Sequence, residues 1–205
     1  MIRSLVASLV LVAAFVPAGA AFAEPDDITK PAVVLRSADR TGNRVSTVPA
    51  PVAPPAADPG VSSQMQAVLD LVNVQRTARG LVALRFSSQL NDAALDHTRR
   101  QAADGEVYHT DPDDGSNTGQ RISRTGYVSS TWGENVAAGY PTAQSVMKGW
   151  MSSPGHCRNI LNPAFTEIGI ALVTGGVTYD QFWTQNFARP ADEPRPAGNY
   201  DSAWC

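Results

Sequence analysis

The apolar positions of this 205-residue chain form a regular pattern only after residue 62. Four of them repeat at the i, i+3, i+4, i+7 spacing of one helix face: Met65, Val68, Leu69 and Val72. A serine side chain can accept from the free N–H groups of a first helical turn, so Ser62 or Ser63 is the predicted N-cap. Gly80 favours a helix end. The pattern therefore predicts a first helix between these residues.

The same period predicts two further helices. The second begins at Ser87 or Ser88 and ends at Gly105, and the third has Thr142 as its N-cap and Pro154 as its terminator. Their inward faces carry Leu90, Ala94 and His97 in the second helix, and Val146, Met147 and Trp150 in the third.

Further along the chain the period changes to two. Three apolar residues alternate with smaller or polar ones: Ile168, Ile170 and Leu172. Gly175 and Gly176 supply a turn into a second strand that ends over residues 183–187. Helices followed by an antiparallel hairpin predict an α+β domain over residues 63–189. Residues 106–139 are polar and glycine-rich, and we expect two or three short elements there without assigned positions.

The first 62 residues have a different composition. Residues 1–23 combine one basic residue, a short apolar run and the sequence AFA, which are the three regions of a secretory signal peptide cleaved after Ala23. Residues 24–62 hold 7 of the 15 prolines and no aromatic residue, so they cannot bury enough apolar surface to fold. We expect a Pro-rich disordered linker there and a C-terminal tail over residues 190–205.

The charge balance bears on the partners. The chain has 16 Lys+Arg against 19 Asp+Glu, a net charge of -3, and shows no basic stripe, which argues against nucleic-acid binding. No segment after the signal peptide reaches the roughly 18 apolar residues that span a bilayer. We expect a monomer that is secreted or associated with the cell wall.

Four short motifs carry a resemblance to a known family. They are EVYH at 106–109, WGEN at 132–135, WMSSPGH at 150–156 followed by NILNP at 159–163, and FTEIG at 165–169. In this order they resemble the bacterial branch of the CAP superfamily of cysteine-rich secretory proteins, antigen 5 and plant pathogenesis-related proteins. The resemblance covers residues 63–189 and implies a three-layer α-β-α sandwich with a short antiparallel sheet and one open cavity.

The resemblance also implies which residues line that cavity. Many relatives hold two histidines and two acidic residues there, sometimes around a zinc ion, and the motifs supply His109, Glu134 and His156. Ser153 occupies the position of the second acid. A site that requires a carboxylate pair is therefore incomplete in this chain.

Three interpretations of these residues stay open. Two imidazoles and one carboxylate around zinc or another divalent cation leave one position for water, as in hydrolytic zinc sites. Alternatively, Glu134 orients one imidazole in a hydrogen-bonded cluster and Asn135 holds a loop, which we favour because the fourth ligand is missing. Ser153 could also be a nucleophile beside His156 or Glu134. However, no G-x-S-x-G turn is present, and a helix end before Pro154 explains this serine more simply.

The other polar and aromatic candidates have simpler interpretations. We expect His97, on the inner face of the second helix, to be a packed and hydrogen-bonded core residue. Residues 111–115 are acidic but lack the spacing of an EF-hand, and they predict a solvated turn. Three tryptophans are expected in the core: Trp132, Trp150 and Trp183.

The chain has two cysteines, Cys157 and Cys205, and both remain after signal cleavage. An exported protein enters an oxidising compartment, and two cysteines allow one intramolecular pairing, so we expect a disulfide between them. The alternative is a free Cys157 that acts as a nucleophile or metal ligand beside His156.

These observations predict an exported CAP-type domain whose cleft binds an envelope-derived or extracellular ligand, namely a lipid, a glycan, a peptide or a protein partner, with no established catalysis. One alternative is a metal-assisted hydrolase of peptide or ester bonds that uses His109, Glu134 and His156. Another is a structural component of the cell envelope.

Overall fold

The computed structural model describes residues 62–205. The predicted signal peptide and residues 24–61 of the predicted linker lie outside them. The elements follow in this order: α1 (Ser63–Thr77), β1 (Arg85–Phe86), α2 (Ser88–Asp104), α3 (Thr118–Arg124), β2 (Ser129–Ala138), α4 (Ala143–Met151), α5 (Pro154–Ile160), β3 (Glu167–Thr174), β4 (Gln181–Pro190) and a 3-10 turn (Ser202–Trp204). None of these helices is both long and apolar enough to cross a membrane.

The four strands form one sheet in the order β1-β3-β4-β2. β4 lies antiparallel between β3 and β2, while the two-residue β1 pairs in parallel with β3. Alternate residues of β4 face opposite layers: Thr184 and Asn186 hydrogen-bond to α2, whereas Trp183 and Phe187 share a core with α1 and α4. Helices therefore cover both faces, and the predicted α-β-α sandwich is confirmed.

The larger hydrophobic core lies between the sheet and the layer of α1, α4 and α5. Its most buried members include Val72, Val146, Trp150, Ile160 and Phe187. Burying a side chain of this kind contributes about 1.5–3 kcal/mol. The opposite layer has only a small apolar cluster under α2 and α3, and much of its remaining buried surface is polar. Most of the buried polar side chains thus lie on the α2 side of the sheet.

Arg76 joins α1 to the segments around α5. Its side chain is fully buried, and its guanidinium donates to the backbone carbonyls of Val82, Ile160, Asn162 and Phe165. Burial lowers the pKa of Arg76 to about 10. Hydrogen bonds from a charged donor are stronger than neutral ones, so Arg76 fixes several chain segments at once.

The first two predicted helices are confirmed, with a difference at one end. The Ser62 hydroxyl accepts a backbone N–H of the first turn, but α1 ends at Thr77, before Gly80. Gly80 has a φ of +72° in the turn that follows. α2 has Ser87 as its N-cap and Gly105 as a left-handed C-cap, as predicted.

The role predicted for Pro154 is wrong. α4 ends at Met151, and Pro154 is the first residue of α5 instead of a terminator. Proline is tolerated there because the N–H groups of a first turn have no partner within the helix. Ser153, expected at a helix end, is the N-cap of α5 and makes no side-chain capping bond.

Residues 106–139, whose elements had no assigned positions, contain α3 and β2. α3 begins with a capping box between Asn117 and Gln120. β2 is ten residues long and pairs with β4 at the edge of the sheet. Its sequence mixes glycine and polar residues with apolar ones, and residues 133–137 are all buried, so β2 shows no two-residue alternation.

Of the three tryptophans expected in the core, Trp150 and Trp183 are buried and Trp132 is not. Trp132 is 46% exposed. Its indole lies on Gly119 of α3, where an added Cβ atom would come within 2.5 Å of the indole nitrogen. The prediction for Trp132 was wrong because this residue lies on the edge strand, which only the short α3 covers on that side.

Residues 111–115 form the predicted turn, but its first residue is not solvated. Asp111 is buried, and its carboxylate accepts from the backbone N–H groups of Asp113 and Asp114. Arg100 donates to the other oxygen at 3.2 Å. Asp111 therefore stabilises the turn from inside.

The predicted disulfide between Cys157 and Cys205 is confirmed, with Cα atoms 5.8 Å apart. Within residues 62–205 no cysteine is free, so the alternative of a reactive thiol at Cys157 is wrong. The bond attaches the C-terminal segment to α5. Tyr200 and Trp204 of that segment pack against the larger core.

Candidate functional site

His109 and Glu134 form the centre of the candidate site. Glu134 lies on β2, and His109 lies in the loop between α2 and α3. The His109 Nδ1 atom is 2.8 Å from Glu134 Oε1. The side chain of Glu134 is 2% exposed, whereas that of His109 is 58% exposed. The carboxylate thus lies below the surface, and the imidazole above it has Nε2 left for another partner.

Arg121, on α3, is the second charged partner of Glu134. Its Nη2 atom donates to Glu134 Oε2 at 2.7 Å and to the backbone carbonyl of His109 at 3.0 Å. The side chain of Arg121 is 3% exposed, so the ion pair is removed from solvent. A buried carboxylate needs such a partner, because an unpaired buried charge costs several kcal/mol, on the order of 3–5.

Asn186 and His97 complete the surroundings of Glu134. Asn186 lies opposite Glu134 in the register of β2 and β4. With its amide in the orientation that satisfies both polar atoms, Asn186 donates to Glu134 Oε2 at 3.3 Å and accepts from Ala94. His97 is fully buried and hydrogen-bonds the Tyr108 carbonyl at 2.8 Å, which confirms the prediction of a core histidine. Its Nε2 also lies 3.9 Å from Glu134 Oε1.

His156 belongs to α5, in the opposite layer. It is half-buried, and its backbone carbonyl accepts from the Asn135 side chain at 3.2 Å. Asn159 in turn donates to the Asn135 side-chain oxygen at 2.9 Å. Asn135, which was expected to hold a loop, holds α5 instead. Because Asn135 follows Glu134 on β2, adjacent residues of one strand hold the segments of both histidines.

Ser153 lies three residues before His156 and is half-buried. Its backbone carbonyl accepts from the Cys157 N–H at 2.8 Å, and its hydroxyl does not cap α5. The side-chain oxygens of Glu134 accept from His109, Arg121 and Asn186. Within residues 62–205, no hydrogen bond pairs Ser153 with a base.

The pKa values of the three histidines shift in different directions. The hydrogen bond to Glu134 raises the pKa of His109 above its usual value, although burial opposes this. Burial lowers the pKa of His156, and the charge of His109 lowers it further. Burial also lowers the pKa of His97. As the pH falls, His109 is therefore the first of the three to become charged.

These residues do not fit a cation held jointly by His109, Glu134 and His156. Both oxygens of Glu134 already accept hydrogen bonds, and the Arg121 guanidinium lies beside the carboxylate. Two unit charges of the same sign 4 Å apart repel by about 4 kcal/mol near a protein surface. No group of three or more His, Cys, Asp or Glu side chains in the described part of the chain is arranged to hold a metal ion.

Sequence reasoning missed Arg121 and Asn186. Arg121 lies in the segment without assigned elements, and no local pattern marks an arginine that pairs with a distant carboxylate. Asn186 had one available signal: it alternates with Trp183 and Phe187, which places it on the opposite face of the same strand.

A separate open groove of about 380 Å³ lies at the other end of β2. It is lined by Gln89, Tyr127, Val128, Glu167, Pro190 and Asp192, among others. The Tyr127 hydroxyl donates to Glu167 at 2.8 Å, and burial raises the pKa of Tyr127. This groove shares no lining residue with the cluster around Glu134.

The fold and the cluster together define a class: an α-β-α sandwich with a His–Glu–Arg cluster at the edge of its sheet. The chain belongs to the cysteine-rich secretory protein family, whose model matches residues 69–187. The resemblance carried by the four motifs is thereby confirmed.

Several relatives are similar to this chain. An extracellular protein containing a SCP domain from Bacillus anthracis str. Ames is 33% identical, with a TM-score of 0.56 over 62% of this chain and 40% of that one. Uncharacterized protein YkwD of Bacillus subtilis (strain 168) is 35% identical over 132 residues, which are 64% of this chain and 49% of YkwD. An outer surface protein from Borrelia burgdorferi shares the fold at 19% identity, with a TM-score of 0.57 over 62% of this chain and 92% of that one.

The match to the longer relatives is partial. This chain spans about half the length of YkwD and 40% of the Bacillus anthracis protein. The shared part is the domain that carries the cluster.

Proposed function

We propose that this chain is an exported binding domain whose cleft beside His109 and His156 accepts an envelope-derived or extracellular ligand: a lipid, a glycan, a peptide or a protein partner. The observation that carries the proposal is the half-exposed imidazole of His109, held from behind by a buried carboxylate. An imidazole that is already fixed can hydrogen-bond a ligand with little further loss of side-chain entropy.

Binding is favoured over hydrolysis by the environment of Glu134. A general base must come within hydrogen-bonding reach of the proton that it removes, and a metal ligand must reach the ion. Glu134 is buried, and both of its oxygens are engaged by His109 and Arg121. Ser153 stands where the family resemblance places a second acid, so this position offers no carboxylate.

Export is proposed from the sequence of residues 1–23. Two observations support it. The Cys157–Cys205 disulfide suits an oxidising compartment. In addition, the similar SCP-domain protein from Bacillus anthracis is described as extracellular.

Cosedimentation tests the proposal. Residues 24–205 are mixed with isolated cell-wall sacculi and, separately, with phosphatidylglycerol vesicles. We expect the unmodified chain to bind one of them. His109→Ala should weaken that binding about tenfold or more, because the loss of one hydrogen bond to a charged group changes an affinity by about that factor. Arg99→Ala, a change of an exposed residue of α2, is the matched control and should bind like the unmodified chain. Equal binding by His109→Ala would contradict the site, and binding to neither material would contradict an envelope ligand.

A further inference from the structure

We propose that Arg121 is the positioning residue of this site: its guanidinium is the built-in counter-cation of Glu134 and holds His109 with Nδ1 protonated and Nε2 left for a ligand. The proposal rests on the proposed function for the role of His109. The bonding pattern itself is independent of any ligand.

Arg121 holds His109 by two routes. Its Nη2 atom donates directly to the His109 backbone carbonyl at 3.0 Å. The same atom donates to Glu134 Oε2 at 2.7 Å, and Glu134 Oε1 lies 2.8 Å from the His109 Nδ1. The three residues form a closed ring of interactions in which one guanidinium fixes both the backbone and the side chain of the histidine.

Two further bonds fix the guanidinium itself. Nη1 donates to the Ser116 carbonyl at 2.7 Å, and Nη2 lies 3.2 Å from the Thr118 hydroxyl at the start of α3. The arginine side chain is 3% exposed. A planar guanidinium with several fixed acceptors loses little freedom for each bond, and a lysine could not reproduce this geometry.

The charge of Glu134 is compensated by this arginine. The other groups around the carboxylate are His97, whose pKa burial lowers, and the neutral amide of Asn186. Arg121 is therefore the one permanent cation that contacts Glu134 within the described chain. In a hydrolytic metal site the cation would supply this charge, whereas here a side chain of the protein does.

The ring of interactions sets the tautomer of His109. A carboxylate accepts hydrogen bonds and does not donate them, so the nitrogen that faces Glu134 must carry the proton. In the neutral imidazole Nε2 then has the free lone pair. If Glu134 lost its cation, the guanidinium would no longer hold the carboxylate in this orientation, and the preference for one tautomer would weaken.

A purely structural role for Arg121 makes a different prediction. In that case the arginine only closes the loop between His109 and Thr118, and its loss would lower stability without a specific change at the imidazole. Stability alone cannot separate the two roles. The tautomer of the His109 ring can separate them, because only the positioning role predicts that it changes.

Long-range ¹H–¹⁵N NMR spectra of the histidine side chains provide the readout, recorded at about pH 9, where imidazole is neutral. We expect the unmodified chain to show His109 as the Nδ1–H tautomer. In Arg121→Gln the ratio of the Nδ1–H to the Nε2–H tautomer should fall about tenfold or more, because the loss of one hydrogen bond to a charged group changes an equilibrium constant by about that factor. Arg121→Lys, which keeps the charge but not the planar set of donors, should give a ratio between those of Arg121→Gln and the unmodified chain. Arg124→Gln is the control. Arg124 lies on the same helix and carries the same charge, but it pairs with the exposed Asp114, so the spectrum of this variant should match that of the unmodified chain.

Near-ultraviolet circular dichroism establishes that each variant is folded. If Arg121→Gln does not fold, Arg121→Met, which removes the charge and keeps an unbranched side chain, is used in its place and should show the same fall in the tautomer ratio. An unchanged Nδ1–H preference in a folded variant that lacks the positive charge of Arg121 would overturn the proposal, whatever that variant binds. A lost tautomer with unchanged binding to sacculi and vesicles would instead contradict the proposed function and leave the role of Arg121 in place.

Discussion

Two charged residues, Arg76 and Glu134, are buried, and the stability of the fold depends on the hydrogen-bonding partners that each of them has. Arg76 donates to four backbone carbonyls, while Glu134 has the charged partner Arg121 and the imidazole of His109. A buried charge is tolerated when hydrogen bonds replace the lost water. Substitutions that remove partners should therefore cost more than comparable changes at exposed charges.

Arg76→Lys should lower the free energy of unfolding by about 3 kcal/mol. A single ammonium group cannot reach four carbonyls that surround a planar guanidinium, so some of them would be left buried and unbonded. Urea denaturation followed by circular dichroism measures the loss. Arg79→Lys, in the turn that follows α1, is the control, because Arg79 is half-exposed and its side chain bonds only the nearby Gln75. It should change stability by less than about 0.5 kcal/mol. Equal losses would show that Arg76 is not a structural link.

The bond between His109 and Glu134 should make stability depend on pH. The folded pKa of His109 is raised, so its contribution is fully present below the unfolded pKa of about 6.5 and is lost as the pH rises through the folded pKa. The Tm difference between the unmodified chain and His109→Gln should therefore be larger at about pH 5.5 than at about pH 8.5. Because the imidazole is exposed, solvent screening keeps this change in the Tm difference small.

Differential scanning fluorimetry across this range measures that difference. His97 has a lowered pKa and weakens the fold as the pH falls, but it is present in both proteins, so its effect cancels. The charge of His109 also lowers the pKa of His156, so repulsion between these two imidazoles reduces the difference at low pH. A difference that grows with pH would contradict the raised pKa of His109.

At the scale of elements, capped helices and a hairpin were predictable, and edge elements were not. α2 has a serine N-cap and a glycine C-cap in the sequence, and β3 alternates with a period of two. β2 carries no such pattern, because an edge strand at the junction of two layers contains glycine, polar residues and a half-exposed tryptophan. Pro154 was predicted to end α4 but is the first residue of α5, since a proline is compatible both with the end of one helix and with the first turn of another.

The candidate site was predictable only in part for the same reason. His109, Glu134 and His156 lie in motifs that resemble those of relatives. Arg121 contacts Glu134 because α3 packs against β2. That tertiary packing leaves no local pattern in the sequence.

Gly169→Ala should destabilise the contact between α2 and β3 strongly. A Cβ atom at Gly169 would overlap the α2 backbone at Leu90 and Asn91, so the helix would have to move away from the sheet. We expect a loss of about 2–3 kcal/mol, as for other overpacking substitutions, measured by urea denaturation. Gly155→Ala on α5 is the control, because a Cβ there meets nothing within 4 Å. A neutral Gly169→Ala would mean that α2 lies farther from β3 than described.

At the scale of the whole molecule, the site lies where the two helical layers meet. His109 and Arg121 belong to the α2 side, and His156 belongs to α5 on the other side, with β2 between them. The Cys157–Cys205 disulfide acts on α5, one residue from His156. Stability of the α5 layer and geometry of the site are therefore linked through the same helix.

Replacing both cysteines, in Cys157→Ser/Cys205→Ser, should lower the free energy of unfolding. The sequence separation of the two cysteines is 48, and closing a loop of that length has a chain-entropy value of roughly 4 kcal/mol, which sets the upper limit. Because Tyr200 and Trp204 keep apolar contacts with the core, we expect a loss of about 2–4 kcal/mol in urea denaturation. An unchanged value would show that the C-terminal segment is held by packing alone.

The central claim is that ligands contact His109 and His156 in front of the buried Glu134–Arg121 pair. Residues 24–205, labelled with ¹⁵N, are titrated with soluble disaccharide–peptide fragments of digested cell wall, and with short-chain phosphatidylglycerol micelles as the lipid probe. The account predicts that one probe shifts the imidazole signals of His109 and His156 most, with smaller changes at Arg121. Shifts confined to the groove lined by Gln89, Tyr127 and Val128, with the histidine signals unchanged, would contradict it.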